Sequence, residues 1–435
     1  MARLSRRGFL AASAVAGPAL AAPTAASAAP RTATATSPVA SGARGPLADG
    51  VVPAADVLAG QDWRTLAGRK VGVLTNPTGV LRDLTHIVDA MTAAGARPIA
   101  AFGPEHGFRG TSQAGGSQGD YTDPRTGIPV YDAYNATAQD LAGMYRKAGV
   151  DTVVFDIAGV GARFYTYTWT MYVAMWAAVL TGASFVVLDR PNPIGGQAYG
   201  PVLDPAFATG VGLKPIAQQP GMTAGELARM FDALYLPDDT GGRRLAELKV
   251  EPVRGYRRDA LFTDTGLPWV PPSPNMPTGD TALLYPGTCM FEGTLLSEGR
   301  GTTRPFEMIG APGIDWHWAE RLNSLGLPGV RFRENYTVPT FDKFTGTTCG
   351  GVQIHLTDRR RVDAIRTAVA MIVTARGLYP SVFGWRPDHW IDDLTGSSRL
   401  RTMVDAGADT DDVVGAWEDE LARFRAAREP FLLYG

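Results

Sequence analysis

Four short apolar runs, each ending in a polar cassette rich in Pro and Gly, set the pattern of this chain. Val71-Gly72-Val73-Leu74 leads into Thr75-Asn76-Pro77-Thr78-Gly79, and Pro98-Ile99-Ala100-Ala101-Phe102 into Gly103-Pro104-Glu105-His106-Gly107. Thr152-Val153-Val154-Phe155 runs into Asp156, with Arg163 shortly after, and Phe185-Val186-Val187-Leu188 into Asp189-Arg190-Pro191-Asn192-Pro193. Runs this short and this uniformly apolar fit strands buried on both faces. Residues 83–94 and 137–148 carry apolar side chains at helical spacing, which predicts right-handed βαβ units. Residues 165–180 read as a long, mostly apolar helix, and Thr223-Ala224-Gly225-Glu226 opens another with a capping box. In an open α/β sheet, ligands sit in the crevice beyond the carboxyl ends of the strands. The pattern therefore predicts one cleft lined by four strand ends, the arrangement of an enzyme.

A second region begins near Tyr256. It opens with Pro-, Gly- and Thr-rich sequence from Leu267 to about Pro312, read as loops, and passes through a helix around Trp316 to Leu325. Gly351-Val352-Gln353-Ile354-His355-Leu356 reads as a strand, and residues 362–376 as the helix after it. No internal repeat of fixed period is visible.

The N-terminus changes the picture. Ser5-Arg6-Arg7-Gly8-Phe9-Leu10 is a twin-arginine export signature, and Ala26-Ser27-Ala28 is a small-residue cleavage pattern, so residues 1–28 are expected to be a signal peptide. Residues 29–50, built of Thr, Ala, Ser, Pro and Gly, are expected to form a disordered tether. A soluble mature protein, secreted, periplasmic or associated with the cell wall, is the expectation. No run approaches the ~18 apolar residues of a spanning helix, so no stable membrane insertion is expected. With 45% hydrophobic and 19% charged residues, the roughly 385 residues beyond the leader and tether can bury a substantial core in two domains or one elaborated one. A formal charge of −2 argues against nucleic acid as a partner. Cys289 and Cys349 have no metal-ligand spacing; one disulfide and two separate buried thiols are both open.

Several motifs fail in context. Gly115-Gly116-Ser117-Gln118-Gly119 fits G-x-S-x-G but has neither the strand before it nor the helix after it that a nucleophile elbow needs. His317-Trp318-Ala319-Glu320 lacks the second His of a zincin, and the five His are scattered, so no metal is expected. With no G-x-G-x-x-G after the first run and no Walker A, no nucleotide cofactor is expected either.

Five cassettes occur in order: Gly103-Pro104-Glu105-His106-Gly107-Phe108-Arg109-Gly110, Gly161-Ala162-Arg163-Phe164-Tyr165-Thr166-Tyr167, Asp189-Arg190-Pro191-Asn192-Pro193, Pro272-Ser273-Pro274-Asn275-Met276-Pro277, and Glu292-Gly293-Thr294 through Ser297-Glu298-Gly299-Arg300-Gly301-Thr302. Together they resemble the NamZ family of exo-β-N-acetylmuramidases, from about Ala67 to the closing Phe431-Leu432-Leu433-Tyr434. The resemblance implies a Rossmann-like N-terminal domain, placed here at 51–255, a smaller α+β C-terminal domain at 256–435, and an active cleft between them. It implies removal of MurNAc from the non-reducing ends of peptidoglycan fragments such as MurNAc-GlcNAc saccharides. The chain departs from the family pattern in three places: Ala158-Gly159 stand where Gln-Asp is usual, Pro220 where His is common, and Leu295 where Asn is frequent.

Glycoside hydrolysis typically needs one carboxylic acid to protonate the leaving oxygen and a second group on the opposite face. Glu105, rigidly bracketed by Pro and Gly after a strand, is the candidate acid, and His106 is placed to orient it, bind the sugar or share the proton. Glu298 is the first candidate for the second carboxylate, with Glu292 and Asp156 behind it. An N-acetyl sugar supplying its own acetamido oxygen is a further route. The lactyl carboxylate of MurNAc calls for a cation, and Arg163, Arg190, Arg300 and Arg109 all sit in the cassettes. Asp156 would instead brace Arg163 if it is structural. Tyr165, with Tyr167 and Trp169, offers stacking faces; Asn192 and Asn275 offer amides, and Asp189 completes the candidate substrate-binding set. A non-catalytic peptidoglycan-binding protein and an exported hydrolase of another acidic sugar conjugate are the competing readings.

Overall fold

The computed structural model describes residues 50–435. The expected signal peptide and the expected tether, apart from Gly50, lie outside the described residues. The first part of the chain forms β1 (Val71–Thr75), β2 (Ala100–Gly103), β3 (Tyr121–Thr122), β4 (Pro129–Asp132), β5 (Thr152–Asp156), β6 (Ser184–Leu188), the hairpin strands β7 (Tyr199–Val202) and β8 (Ala217–Gln219), and β9 (Leu248–Glu251). Seven of these make one sheet in the order β3-β4-β2-β1-β5-β6-β9. All neighbours are parallel except β3, which runs antiparallel to β4. Setting β3 aside, the chain winds outward from β1 through β2 and β4, then crosses back to β5, β6 and β9, the order of a Rossmann sheet. The reversal falls between β1 and β5, and the Thr75 hydroxyl ties their ends together by donating to the Asp156 carbonyl at 2.7 Å.

The four apolar runs are the four inner strands, and every residue of β1 and β5 is buried. The outer strands β4 and β9 escaped the apolar-run criterion, because only two residues of β4 and none of β9 are fully buried. The helices Ile87–Ala93, Ala138–Ala148 and Tyr167–Thr181 follow the expected spacing. The first starts later than residue 83, where His86 caps it by accepting from the Val88 N–H. Thr223 and Glu226 form the expected capping box at the head of Ala224–Met230.

The C-terminal lobe is built on β10 (Met308–Ala311), β11 (Val330–Thr337) and β12 (Cys349–Leu356), an antiparallel sheet with β12 in the middle. Helix His317–Ser324 packs on β11 and β12, and Ala364–Leu378 packs on that helix. The stretch from Leu267 to Pro312 is not loop throughout, as its composition suggested. It contains the buried helix Gly279–Thr288, whose N-terminus is capped by Thr278, followed by a 3-10 turn at Cys289–Gly293. Gly287 allows this helix to lie directly on Ala364–Leu378: a Cβ there would sit 1.8 Å from the Ala364 carbonyl oxygen. Cys289 and Cys349 are both buried and unpaired. Among the described residues no helix is long and apolar enough to cross a membrane.

The end of the chain returns to the first lobe. Helix Glu418–Arg428 packs on β7, Arg425 donates to the Ala198 carbonyl at 2.7 Å, and Glu420 accepts the Val202 N–H at 2.9 Å. The Tyr434 hydroxyl then reaches the Asp189 carboxylate at 2.6 Å.

Candidate active site

Glu105 stands in a tight turn immediately after β2. The Gly107 N–H closes it onto the Pro104 carbonyl at 2.9 Å, with His106 held at φ +69 and Gly107 at φ +83. A left-handed backbone on a His is costly and is kept where surrounding contacts enforce it. Glu105 is only partly buried, and both its carboxylate oxygens accept hydrogen bonds: Oε1 from the Gly115 N–H at 2.8 Å and Oε2 from the Thr166 hydroxyl at 2.8 Å. The carboxylate is thus pinned between the glycine-rich loop 110–120 and the start of helix Tyr167–Thr181. His106 acts on that loop and not on the Glu105 carboxylate. Its N–H donates to the Gly116 carbonyl, and its Nδ1 lies 3.1 Å from the Ser112 carbonyl, which sets Nδ1 as the protonated nitrogen. Ser117, the false elbow, donates to Asp132 within the same loop system.

Tyr167 links this turn to the Pro272 cassette, since its hydroxyl donates to the Pro272 carbonyl at 2.7 Å and lies 3.4 Å from the Glu105 carbonyl. Tyr165 is enclosed between the two lobes. Its ring meets Tyr167 at 5.2 Å and Tyr285 at 5.7 Å, both edge-on, and its hydroxyl feels the charges of Glu105 and Arg300. It packs the wall between the two charged centres, and with Tyr167 and Trp169 also buried there is no exposed stacking platform here. Asn275, buried on the same cassette, makes no side-chain hydrogen bond among the described residues, so its amide is uncommitted.

The second centre is a chain of four charges. Arg300 donates to Glu292 at 2.6 Å and lies 3.2 Å from Glu298, and Lys343, on the β11–β12 hairpin, donates to Glu298 at 2.9 Å. Lys343 also satisfies the carbonyls of Phe291, Thr294 and Leu296. Glu298 is 3% exposed with a cation on each oxygen, whereas Glu292 is 19% exposed and bonded through one oxygen. Burial pushes the Glu292 carboxyl above its ordinary range, with Arg300 pulling it back and Glu298 adding to the rise. Lys343 is a residue that the sequence reading missed; it lies on an exposed hairpin far along the chain from Glu298, and only the fold joins them.

Elsewhere the expected assignments change. Asp156, fully buried at the end of β5, braces Arg190 and not Arg163, and Arg190 also donates to the Val80 carbonyl at 2.9 Å. Burial raises the Asp156 carboxyl and the Arg190 charge counters it. Arg163 is withdrawn from the substrate-binding set: it is fully buried and donates to the carbonyls of Pro201, Ile216 and Leu394 at 2.7–3.1 Å. Burial lowers it to about 9. Arg109 is likewise spent, gripping both Asp89 and Asp123. Asp189 is buried under Tyr434, Thr223 and the Gly225 N–H, so it fastens β6 to its surroundings and touches no open space. Asn192 is buried in a turn, accepting the Ile194 N–H and donating to the Met222 carbonyl. Among the described residues no cluster of His, Cys, Asp or Glu is arranged to hold a metal ion.

A Rossmann-type sheet with a hydrogen-bonded carboxylate after an inner strand, joined to a second lobe that carries two carboxylates on one arginine, fits a glycoside hydrolase. The chain belongs to the NamZ exo-β-N-acetylmuramidase family: residues 71–280 match the family's N-terminal domain and residues 283–434 its C-terminal domain. It is 44% identical over 374 residues, 85% of this chain and 88% of the relative, to the peptidoglycan β-N-acetylmuramidase NamZ of Bacillus subtilis (strain 168). Two solved structures of DUF1343 family proteins from Bacteroides fragilis NCTC 9343 are similar to it, with TM-scores of 0.81 and 0.71 and identities of 32% and 29%. Each covers 88% of this chain and 99% of its own.

Proposed function

We propose that this protein is an exo-acting β-N-acetylmuramidase that removes terminal MurNAc from the non-reducing ends of peptidoglycan fragments. The observation that carries the reading is Glu105, a carboxylate held by two donors on a strained turn at the carboxyl end of an inner strand. Glu105 protonates the leaving oxygen. The Gly115 N–H and Thr166 hydroxyl fix its orientation, and His106 holds the loop that supplies Gly115. Glu292 serves as the carboxylate of the opposite face, because it is partly exposed and bonded through one oxygen only, while Arg300, itself held by Glu298, positions it. The twin-arginine signature supports action outside the cytoplasm, in cell-wall turnover.

The test is release of free MurNAc from MurNAc-GlcNAc and from a chromogenic MurNAc glycoside, with Glu105→Gln beside the wild type. Loss of a general acid lowers turnover on the order of 10²–10⁴-fold. A folded wild type that releases nothing would leave the non-catalytic binding reading in its place. Export is checked separately: changing Arg6 and Arg7 to Lys together should retain the precursor in the cytoplasm.

A further inference from the structure

A small, mostly apolar cavity of about 50 Å³ opens at the sheet's switch point, between Thr78 after β1, Ala158 after β5 and Arg190 after β6. Its outer wall comes from the second region of the chain: Phe262 and Trp269, edge-to-face at 4.8 Å, with Leu267 and Val270. Trp269 is fixed by its indole N–H, which donates to the Met276 carbonyl at 3.0 Å. Pro272 also lines the cavity, and its carbonyl receives the Tyr167 hydroxyl that approaches Glu105. Tyr167 thus joins Pro272 in the cavity wall to the main chain of the proposed acid.

Two cations line it, Arg190 and Arg82. Arg190 is committed to Asp156 and to the Val80 carbonyl. Arg82 is half-exposed; its Nε forms an ion pair with Asp56 at 3.6 Å, and its terminal nitrogens make no hydrogen bond to described residues. Its backbone N–H is anchored to Asp56 at 3.0 Å, so the side chain is launched from a fixed point at the cavity mouth. The arginines proposed from the cassettes are all spent: Arg163 on carbonyls, Arg109 on two aspartates, Arg300 on two glutamates. A guanidinium fork left open beside an apolar recess suits a ligand group with a carboxylate and an adjoining methyl.

We infer that Arg82 reads the lactyl carboxylate of terminal MurNAc, with the lactyl methyl seated against Trp269 and Phe262. This rests on the muramidase reading and names the group by which that site selects its sugar. Arg82→Gln and Arg82→Lys are compared with the wild type on a chromogenic MurNAc glycoside and on its lactyl methyl ester, with thermal unfolding as the check on folding. The wild type should prefer the free acid. Arg82→Gln should raise KM for the acid at least about tenfold with kcat nearly unchanged, and bring the acid-to-ester ratio of kcat/KM towards one. Arg82→Lys, which keeps the charge without the fork, should fall between. If the wild type is active and folded Arg82→Gln keeps the full acid preference, the Arg82 assignment is wrong and the muramidase reading stands. If the wild type turns over neither substrate, both fall.

Discussion

Glu292 and Glu298 show how position decides what a residue can do. The two share one arginine, yet Glu292 is partly exposed and Glu298 is sealed between Arg300 and Lys343. Glu292→Gln should therefore cost turnover on the order of 10²-fold or more while melting within a few degrees of the wild type. Glu298→Gln should instead lower the melting temperature sharply, because removing one partner leaves a buried cation uncompensated, at about 3–5 kcal/mol. His86 gives a pH signature. Burial first, and then the charge of Arg109, hold its imidazole down to about 4 from the ordinary 6.5, with Asp89 and Asp123 acting in the other direction. Between those values the unfolded chain binds more protons than the folded one, so stability rises with pH through the window. The shift corresponds to about 3 kcal/mol lost on acidifying from pH 6.5 to 4. Denaturant titrations at pH 7 and 4.5 should show this loss in the wild type and a smaller one in His86→Gln. A matching loss in both would remove His86 as the cause.

At the scale of elements, the inner strands were legible because burial on both faces leaves an unbroken apolar run, and helices with caps announced their own starts. The outer strands β4 and β9 were not, since half-exposed residues carry no such run. Helix Gly279–Thr288 was hidden for another reason: Pro286 and Gly287 are punctuation in most contexts, and here they serve a close helix crossing. The backbone at Gly287 does not need a left-handed φ, so its requirement is purely steric. Gly287→Ala should destabilise the protein by about 1–3 kcal/mol through overpacking against Ala364, despite alanine's better helix propensity. Unfolding at the wild-type midpoint would show that the two helices can separate freely.

At the scale of the whole molecule, the last residues fasten the two lobes. Tyr434 donates to Asp189, Leu433 donates to Glu226 at 2.7 Å, and Arg258 holds the Tyr434 carbonyl. Burial raises the Asp189 carboxyl to about 6, and the donors from Tyr434 and Thr223 restrain that rise. Removing residues 431–435 should lower both the melting temperature and kcat/KM, since Asp189 also accepts the Arg190 N–H beside the cleft. Tyr434→Phe alone should cost about 1–3 kcal/mol, the range for a hydrogen bond to a charged group. Full activity and stability in the truncated protein would show that the tail is dispensable.

The sequence by itself determined the inner strands, their order of chemistry-bearing ends, the turn at Glu105 and the family, because each is written in local pattern or in residues close along the chain. Tertiary structure decided which charges remain available. Arg163, Arg109, Arg190 and Arg300 look alike in sequence, but each is consumed by partners that only the folded chain brings near: three carbonyls, two aspartates, the end of β5, and a glutamate pair. The physical reason is that a guanidinium's role is set by what already satisfies it, and most of what satisfies a buried group lies far away along the chain.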